Sequence, residues 1–201
     1  MIKFTGKEVR DLIISFIVIS LGFCILYSGG DYGIIIELFP VVAIAVGLGF
    51  ILHELGHKFS AMHYGYWAEF ELWPAGLVIA LVSSFFGFIF AAPGAVYIYS
   101  QHMDDRTNGI ISVCGPLVNI ALALIFIAIG SSLGADAYTG SNALIALICL
   151  FGTRINAFLA LFNLLPIPPL DGSKVLKWSV PVWLVTIVLS GILVFFTGGI
   201  F

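Results

Sequence analysis

The sequence predicts an all-α polytopic membrane protein, and three observations carry that prediction. Hydrophobic residues make up 61% of the 201 and charged residues 9%, whereas soluble domains carry about 25% charged residues. The mean hydropathy is +1.14. Several apolar stretches also reach the ~20 residues that a helix needs to cross a hydrocarbon core. No internal repeat, low-complexity linker or appended soluble module interrupts them, so one membrane-embedded domain over 1–201 is expected. The formal charge of −3, without a basic run interleaved with aromatics, argues against nucleic acid as a partner. The expected surroundings are the lipid bilayer.

Four stretches qualify readily as spanning helices: 12–28, 38–62, 109–131 and 142–165. A fifth, 180–200, closes the chain. MIKFTGKEVRD precedes the first stretch and no A-x-A-like cleavage site follows it; it reads as a retained helix, not a removed signal peptide. In the second stretch Pro40 marks the start of the helix, because proline favours the first turn. Cys24, Cys114 and Cys149 lie singly in apolar segments. Without CxxC spacing they signal neither a disulfide framework nor a thiolate zinc site.

Basic residues in short loops favour the cytoplasmic side. Lys3, Lys7 and Arg10 place the N-terminus inside, and the second helix then brings Lys58 back to that face. The loops 29–33 and 131–142 contain no Lys or Arg and fall outside. Arg106, Lys174 and Lys177 are inside on the same scheme. With Lys58 and Arg106 on one side, the apolar stretch 74–99 crosses an even number of times. Its 26 residues are too few for two helices of ~20. A re-entrant hairpin turning near Gly87 or Pro93-Gly94 satisfies both constraints, giving five full transmembrane helices plus a hairpin segment. The competing assignment makes 74–99 a sixth transmembrane helix and puts Arg106 outside.

Within the second apolar stretch lies HELGH, residues 53–57. At 3.6 residues per turn His53 and His57 are about 40° apart on one helical face, with Glu54 about 60° from His57. H-E-x-x-H offers two zinc ligands one turn apart and a carboxylate set against water at the metal. Measured from Pro40 at ~1.5 Å per residue, His53 lies about 20 Å and His57 about 25 Å along the helix. Both then sit inside a core of ~30 Å. An uncompensated Glu there costs at least ~2.5 kcal/mol, so three ionisable residues in five positions point to a site.

A catalytic zinc needs a third protein ligand and an open position. Glu69 and Glu71 alternate with aromatics in WAEFELW, which fits a short amphipathic strand with a solvated face. His63 points away from the metal face. His102, Asp104 and Asp105 sit in a polar loop, and Asp136 falls on the opposite side of the membrane. Asp171 is the remaining candidate. It ends NLLPIPPLD, whose three prolines end the preceding helix and leave an extended apolar tether. Such backbone is tolerated at depth only beside a cavity or buried in protein.

HELGH in one membrane helix and NLLPIPPLDG (163–172) after a later one resemble the two signature motifs of the site-2 protease family, the membrane-embedded zinc metalloproteases of peptidase family M50. CGPLVNIAL (114–122) resembles the family's Gly-Pro-x-x-Asn segment. The resemblance covers roughly 38–176, a catalytic core flanked by helices in 1–30 and 178–201. It implies one zinc ion held by His53, His57 and Asp171, with Glu54 as general base and then proton donor to the leaving amine. Asn163, matching the Asn of the N-x-x-P motif, would hold substrate or stabilise the oxyanion. The second Gly that often follows Asp-Gly is Ser173 here, which touches only the turn. No PDZ or CBS module is expected.

The implied activity is intramembrane proteolysis of membrane-spanning or membrane-anchored proteins, of the regulated kind, in a multi-pass cell-membrane enzyme open to the cytoplasm. Two other functions use the same residues. A metal-transport protein would not need Glu54, and an inactive homologue that binds membrane segments would hold no zinc. Physical reasoning adds that a helical substrate must unwind to expose its scissile carbonyl, which a strand within 69–99 would accomplish by edge pairing. Arg154 lies mid-helix, either on a polar path near the site or paired with backbone carbonyls. Asn119 is expected as interhelical glue, and Gly47, Gly49 and Gly56 as points of close helix approach.

Overall fold

A computed structural model describes residues 4–100, 102–134 and 138–198; Lys3 and Asp136 lie outside them. The chain is mostly helical. Helix α1 (Gly6–Tyr27) opens on Thr5, whose hydroxyl accepts the Glu8 N–H. A 3₁₀ turn (Tyr32–Ile34), α2 (Ile35–Val46), a π-helical turn (Gly47–Ile51) and α3 (Leu52–His63) follow as one continuous rod. Then come β1 (Trp67–Leu72), α4 (Pro74–Ser84), β2 (Gly94–Tyr99), α5 (Asp105–Ser132), α6 (Ala143–Asn163), α7 (Asp171–Trp178) and α8 (Val180–Phe196).

Among the described residues, four helical runs are long and apolar enough to cross a membrane: Gly6–Tyr27, Tyr32–His63, Asp105–Ser132 and Ala143–Asn163. Two shorter apolar helices, Pro74–Ser84 and Val180–Phe196, accompany them. Pro40 does not start its helix. It sits inside α2, and the apolar residues ahead of it extend the rod by more than a turn. Proline interrupts only one backbone hydrogen bond, and the surrounding helix tolerates the loss.

Two strands interrupt the all-α expectation. β1 and β2 pair antiparallel, from Trp67 opposite Tyr99 to Leu72 opposite Gly94. Between them the chain leaves at Trp73 and returns at Pro93, whose carbonyl accepts the Trp73 N–H at 2.8 Å. Residues 74–93 thus form a hairpin excursion with α4 as one arm. Gly87, at φ +81°, occupies the left-handed conformation that glycine adopts without a Cβ penalty.

The largest core joins α1, α2, the sheet and α6 through Phe23, Val42, Val46, Phe50, Phe70 and Ile155. Outward-facing apolar side chains such as Ile36, Val78, Val185 and Phe195 remain exposed on the helices. A bundle this apolar on its outside is suited to lipid, not water. This chain is a membrane protein.

Candidate metal centre

The site is assembled from three elements. α3 contributes His53, Glu54 and His57, all buried. The π turn just before it is a frequent companion of functional sites, and its Gly49 carbonyl accepts a hydrogen bond from Asn119 Nδ2 at 3.0 Å. After α6 the chain runs through 164–170 without regular helix and delivers Asp171 as the first residue of α7. Trp183 Nε1 fastens that segment by donating to the Leu164 carbonyl at 2.8 Å. Gly172 packs so closely on the Leu164 carbonyl that a Cβ there would collide with it. Ser173 donates to the Leu170 carbonyl and stays within the turn.

His53, His57 and Asp171 come together. The two Nε2 atoms are 3.0 Å apart, and Asp171 Oδ2 lies 3.1 Å from His57 Nε2 and 3.4 Å from His53 Nε2. Proton positions follow from the surrounding partners. The Ile111 carbonyl, 2.9 Å from His57 Nδ1, can only accept, so that nitrogen carries hydrogen. Asn156 Nδ2 donates to the Gly152 carbonyl, which turns Asn156 Oδ1 toward Asn119 Nδ2 at 2.9 Å. Asn119 Nδ2 donates also to Gly49, so its Oδ1 faces His53 Nδ1 at 2.6 Å and accepts. Each ring, when neutral, therefore directs its Nε2 lone pair inward.

In that state two ring lone pairs and a carboxylate oxygen converge and repel one another. A cation at their common point resolves the repulsion. Two imidazole nitrogens and one carboxylate, with one position left over, form the ligand set of a catalytic zinc. The outer partners also suit a metal, since they hold each ring in one tautomer and orientation. Gly115 leaves the necessary space: a Cβ there would run into the ring nitrogens of both histidines.

Glu54 lines the same cavity as His53, His57 and Asp171; the Val96 N–H bonds its carboxylate, and its Oε2 is buried without a hydrogen-bond partner among the described residues. Asn163 lines it too, at the end of α6, with its amide donating to the Leu159 carbonyl at 3.0 Å. His63 and His102 are exposed and lie outside this cluster. Asp104 caps α5, where the Thr107 N–H and hydroxyl hold its carboxyl below the usual range. Asp105 pairs with Lys177 at 2.8 Å, and Glu71 with Lys7 at 2.8 Å. Arg154 donates to the Thr197 carbonyl at 3.2 Å and lines a different cavity, so the backbone-pairing role holds for it.

Sequence reasoning treated Asn119 as glue and gave Asn156 no role at the metal. The signal was present in Gly115-Pro116-x-x-Asn119, where the glycine makes room for the histidines and the asparagine aims one of them.

No family model matches the chain, and no solved structure does. Curated relatives do, and those below are each named "putative zinc metalloprotease". MJ0611 of Methanocaldococcus jannaschii is 42% identical over 182 residues, covering 90% of this chain and 89% of the relative. YwhC of Bacillus subtilis is 29% identical, covering 73% and 72%. Rip2 of Mycobacterium tuberculosis is 30% identical over 63% of this chain and 52% of its own length. With that coverage, the His53–His57–Asp171 cluster and the three motifs in order, the chain belongs to the site-2 protease family of zinc metalloproteases.

Proposed function

We propose that this enzyme hydrolyses peptide bonds of membrane-spanning or membrane-anchored proteins, with its site below the cytoplasmic face of a multi-pass bundle. One observation carries the reading: the ligand cluster and Glu54 share a cavity with the outer edge of β2, whose Val96 N–H bonds the Glu54 carboxylate. Gly94, Val96 and Ile98 of β2 line that cavity. In an antiparallel pair, alternate residues direct their backbone groups toward and away from the partner strand. Phe70 and Leu72 donate their N–H groups away from β2, to α1. Their partners Val96 and Gly94 therefore present N–H and C=O groups on the far edge, toward Glu54 and the histidines. An unwound substrate segment adding there as a third strand gains backbone hydrogen bonds and exposes its carbonyls.

His53, His57 and Asp171 would hold the zinc ion. Bound there, zinc supplies Lewis acidity, which polarises a carbonyl and acidifies water. Glu54, whose Oε2 is free, takes a proton from the attacking water and returns it to the leaving amine. Asn163 lines the α6 side of the cavity; with one amide N–H given to the Leu159 carbonyl, its second would bind substrate backbone or the developing oxyanion. Lys58, Arg106, Lys174 and Lys177 on one end of the bundle support a cytoplasmic orientation.

The test compares zinc content and cleavage of a membrane-anchored substrate in wild type and Glu54→Gln. Retained zinc with cleavage lowered about 10²–10⁴-fold is the expected result. Unchanged cleavage would remove Glu54 from catalysis, and zinc binding without any cleavage in wild type would refute the protease reading.

A further inference from the structure

The sheet has two edges, and they are treated differently. Its β2 edge faces the cavity, with the Val96 N–H on Glu54, while its β1 edge is occupied by two buried carboxylates of α1. Glu8 Oε1 accepts the Phe70 N–H at 3.1 Å, and Asp11 Oδ2 accepts the Leu72 N–H at 3.4 Å. The two acidic side chains stand where a neighbouring strand would offer carbonyl oxygens. Asp11 is neutralised by Arg10, whose Nη2 lies 2.7 Å from Oδ1. Glu8 is neutralised by Lys58 at 2.5 Å, with both side chains 1% exposed. The Lys58 ammonium also stands 4.3 Å from the centroid of the Phe4 ring.

Lys58 is the residue after the ligand His57. One glutamate thus touches the metal-binding helix through Oε2 and the first strand through Oε1. The local sequence suggests a different use for it. Thr5-Gly6-Lys7-Glu8 is a T-x-x-E capping box, in which the glutamate returns to the N-cap N–H. Here Thr5 caps Glu8 as that motif predicts, but the Glu8 carboxylate is drawn across to Lys58 and Phe70 instead.

We propose that Glu8 is a positioning residue for proteolysis: bridging Lys58 and the Phe70 N–H, it sets the height of the sheet against α3, so that the β2 edge presents substrate to Glu54 and the metal. This rests on the protease reading above. Asp11 is the second fastening along the same edge. Since β2 is attached to the rest of the site chiefly through β1, loss of the β1 anchor displaces the β2 edge relative to Glu54. Misplacement by about 1 Å is enough to lower a rate about 10²-fold.

Two double variants separate holding the strand from balancing the charge, because each removes both charges at once. In Glu8→Gln with Lys58→Met, the amide oxygen still accepts the Phe70 N–H. In Glu8→Leu with Lys58→Met, no acceptor remains. Three readouts are taken on the full chain in detergent or vesicles: zinc content, amide hydrogen exchange at Phe70, and kcat and KM for a membrane-anchored substrate. We expect both variants to hold one zinc. The leucine variant should exchange the Phe70 amide faster and lose about 10- to 100-fold in kcat/KM, while the glutamine variant recovers slow exchange and most of the cleavage. Equal cleavage by the two variants, or fast exchange at Phe70 with cleavage intact, would overturn the positioning role. A zinc-loaded wild type that cleaves nothing would instead overturn the protease reading, and is recognised before either variant is compared.

Discussion

The two faces of α3 bury charged and polar groups in opposite ways. Toward α5, His53 and His57 are held by outer partners but leave both Nε2 atoms open, and Glu54 keeps an oxygen without a partner. Toward α1, Lys58 donates to Glu8 and stands over the Phe4 ring, while Glu8 also takes the Phe70 N–H. Burial is the same on both faces; saturation is not. Buried polar groups are costly unless paired, so the face with open valences is the one that awaits a ligand. The saturated face is scaffold.

Adjacent residues allow the comparison to be broken directly. His57→Ala should weaken zinc binding by more than the roughly 100-fold upper end seen for outer-shell partners, abolishing cleavage while the thermal midpoint of the apo protein changes little. Lys58→Met should do the reverse. It leaves Glu8 as an unpaired buried carboxylate, costing about 3–5 kcal/mol of stability, with zinc stoichiometry retained in the folded fraction. If both substitutions shifted zinc content and stability in parallel, the division of α3 into site and scaffold would be wrong.

Smaller perturbations sharpen the division. Asn119→Leu removes the acceptor that fixes the His53 tautomer, and zinc affinity measured by chelator competition should fall about 10- to 100-fold. Asn156→Leu acts one hydrogen bond further out and should fall less, since Asn119 still donates to Gly49. An Asn156→Leu effect as large as that of Asn119→Leu would mean that packing against Gly49, not ring orientation, is the asparagine's contribution.

Much of the site was legible in the sequence because its parts are local. HELGH sits on one helix, so the 3.6-residue period alone places His53 beside His57. Asp171 was reachable through the prolines before it, which end α6 and return the chain. The role of Asn119 was only partly legible: the Gly-Pro-x-x-Asn motif marks the residue but not the imidazole it meets. Asn119 lies 66 residues from His53, and only the packing of α5 on α3 sets its amide against the imidazole. The start of the second helix was misread at Pro40, because a helix otherwise well packed absorbs one missing donor.

Composition and periodicity by themselves determined that this chain lives in lipid and carries two histidines and a glutamate on one buried helical face. Those properties depend on side-chain chemistry and short-range geometry, both written in the residue order. Tertiary structure alone decided which edge of the small sheet faces the metal cavity. That choice depends on α1 bringing Glu8 and Asp11 across more than 60 residues of chain to Phe70 and Leu72. The same acidic residues, read locally, are only the first turn of a helix.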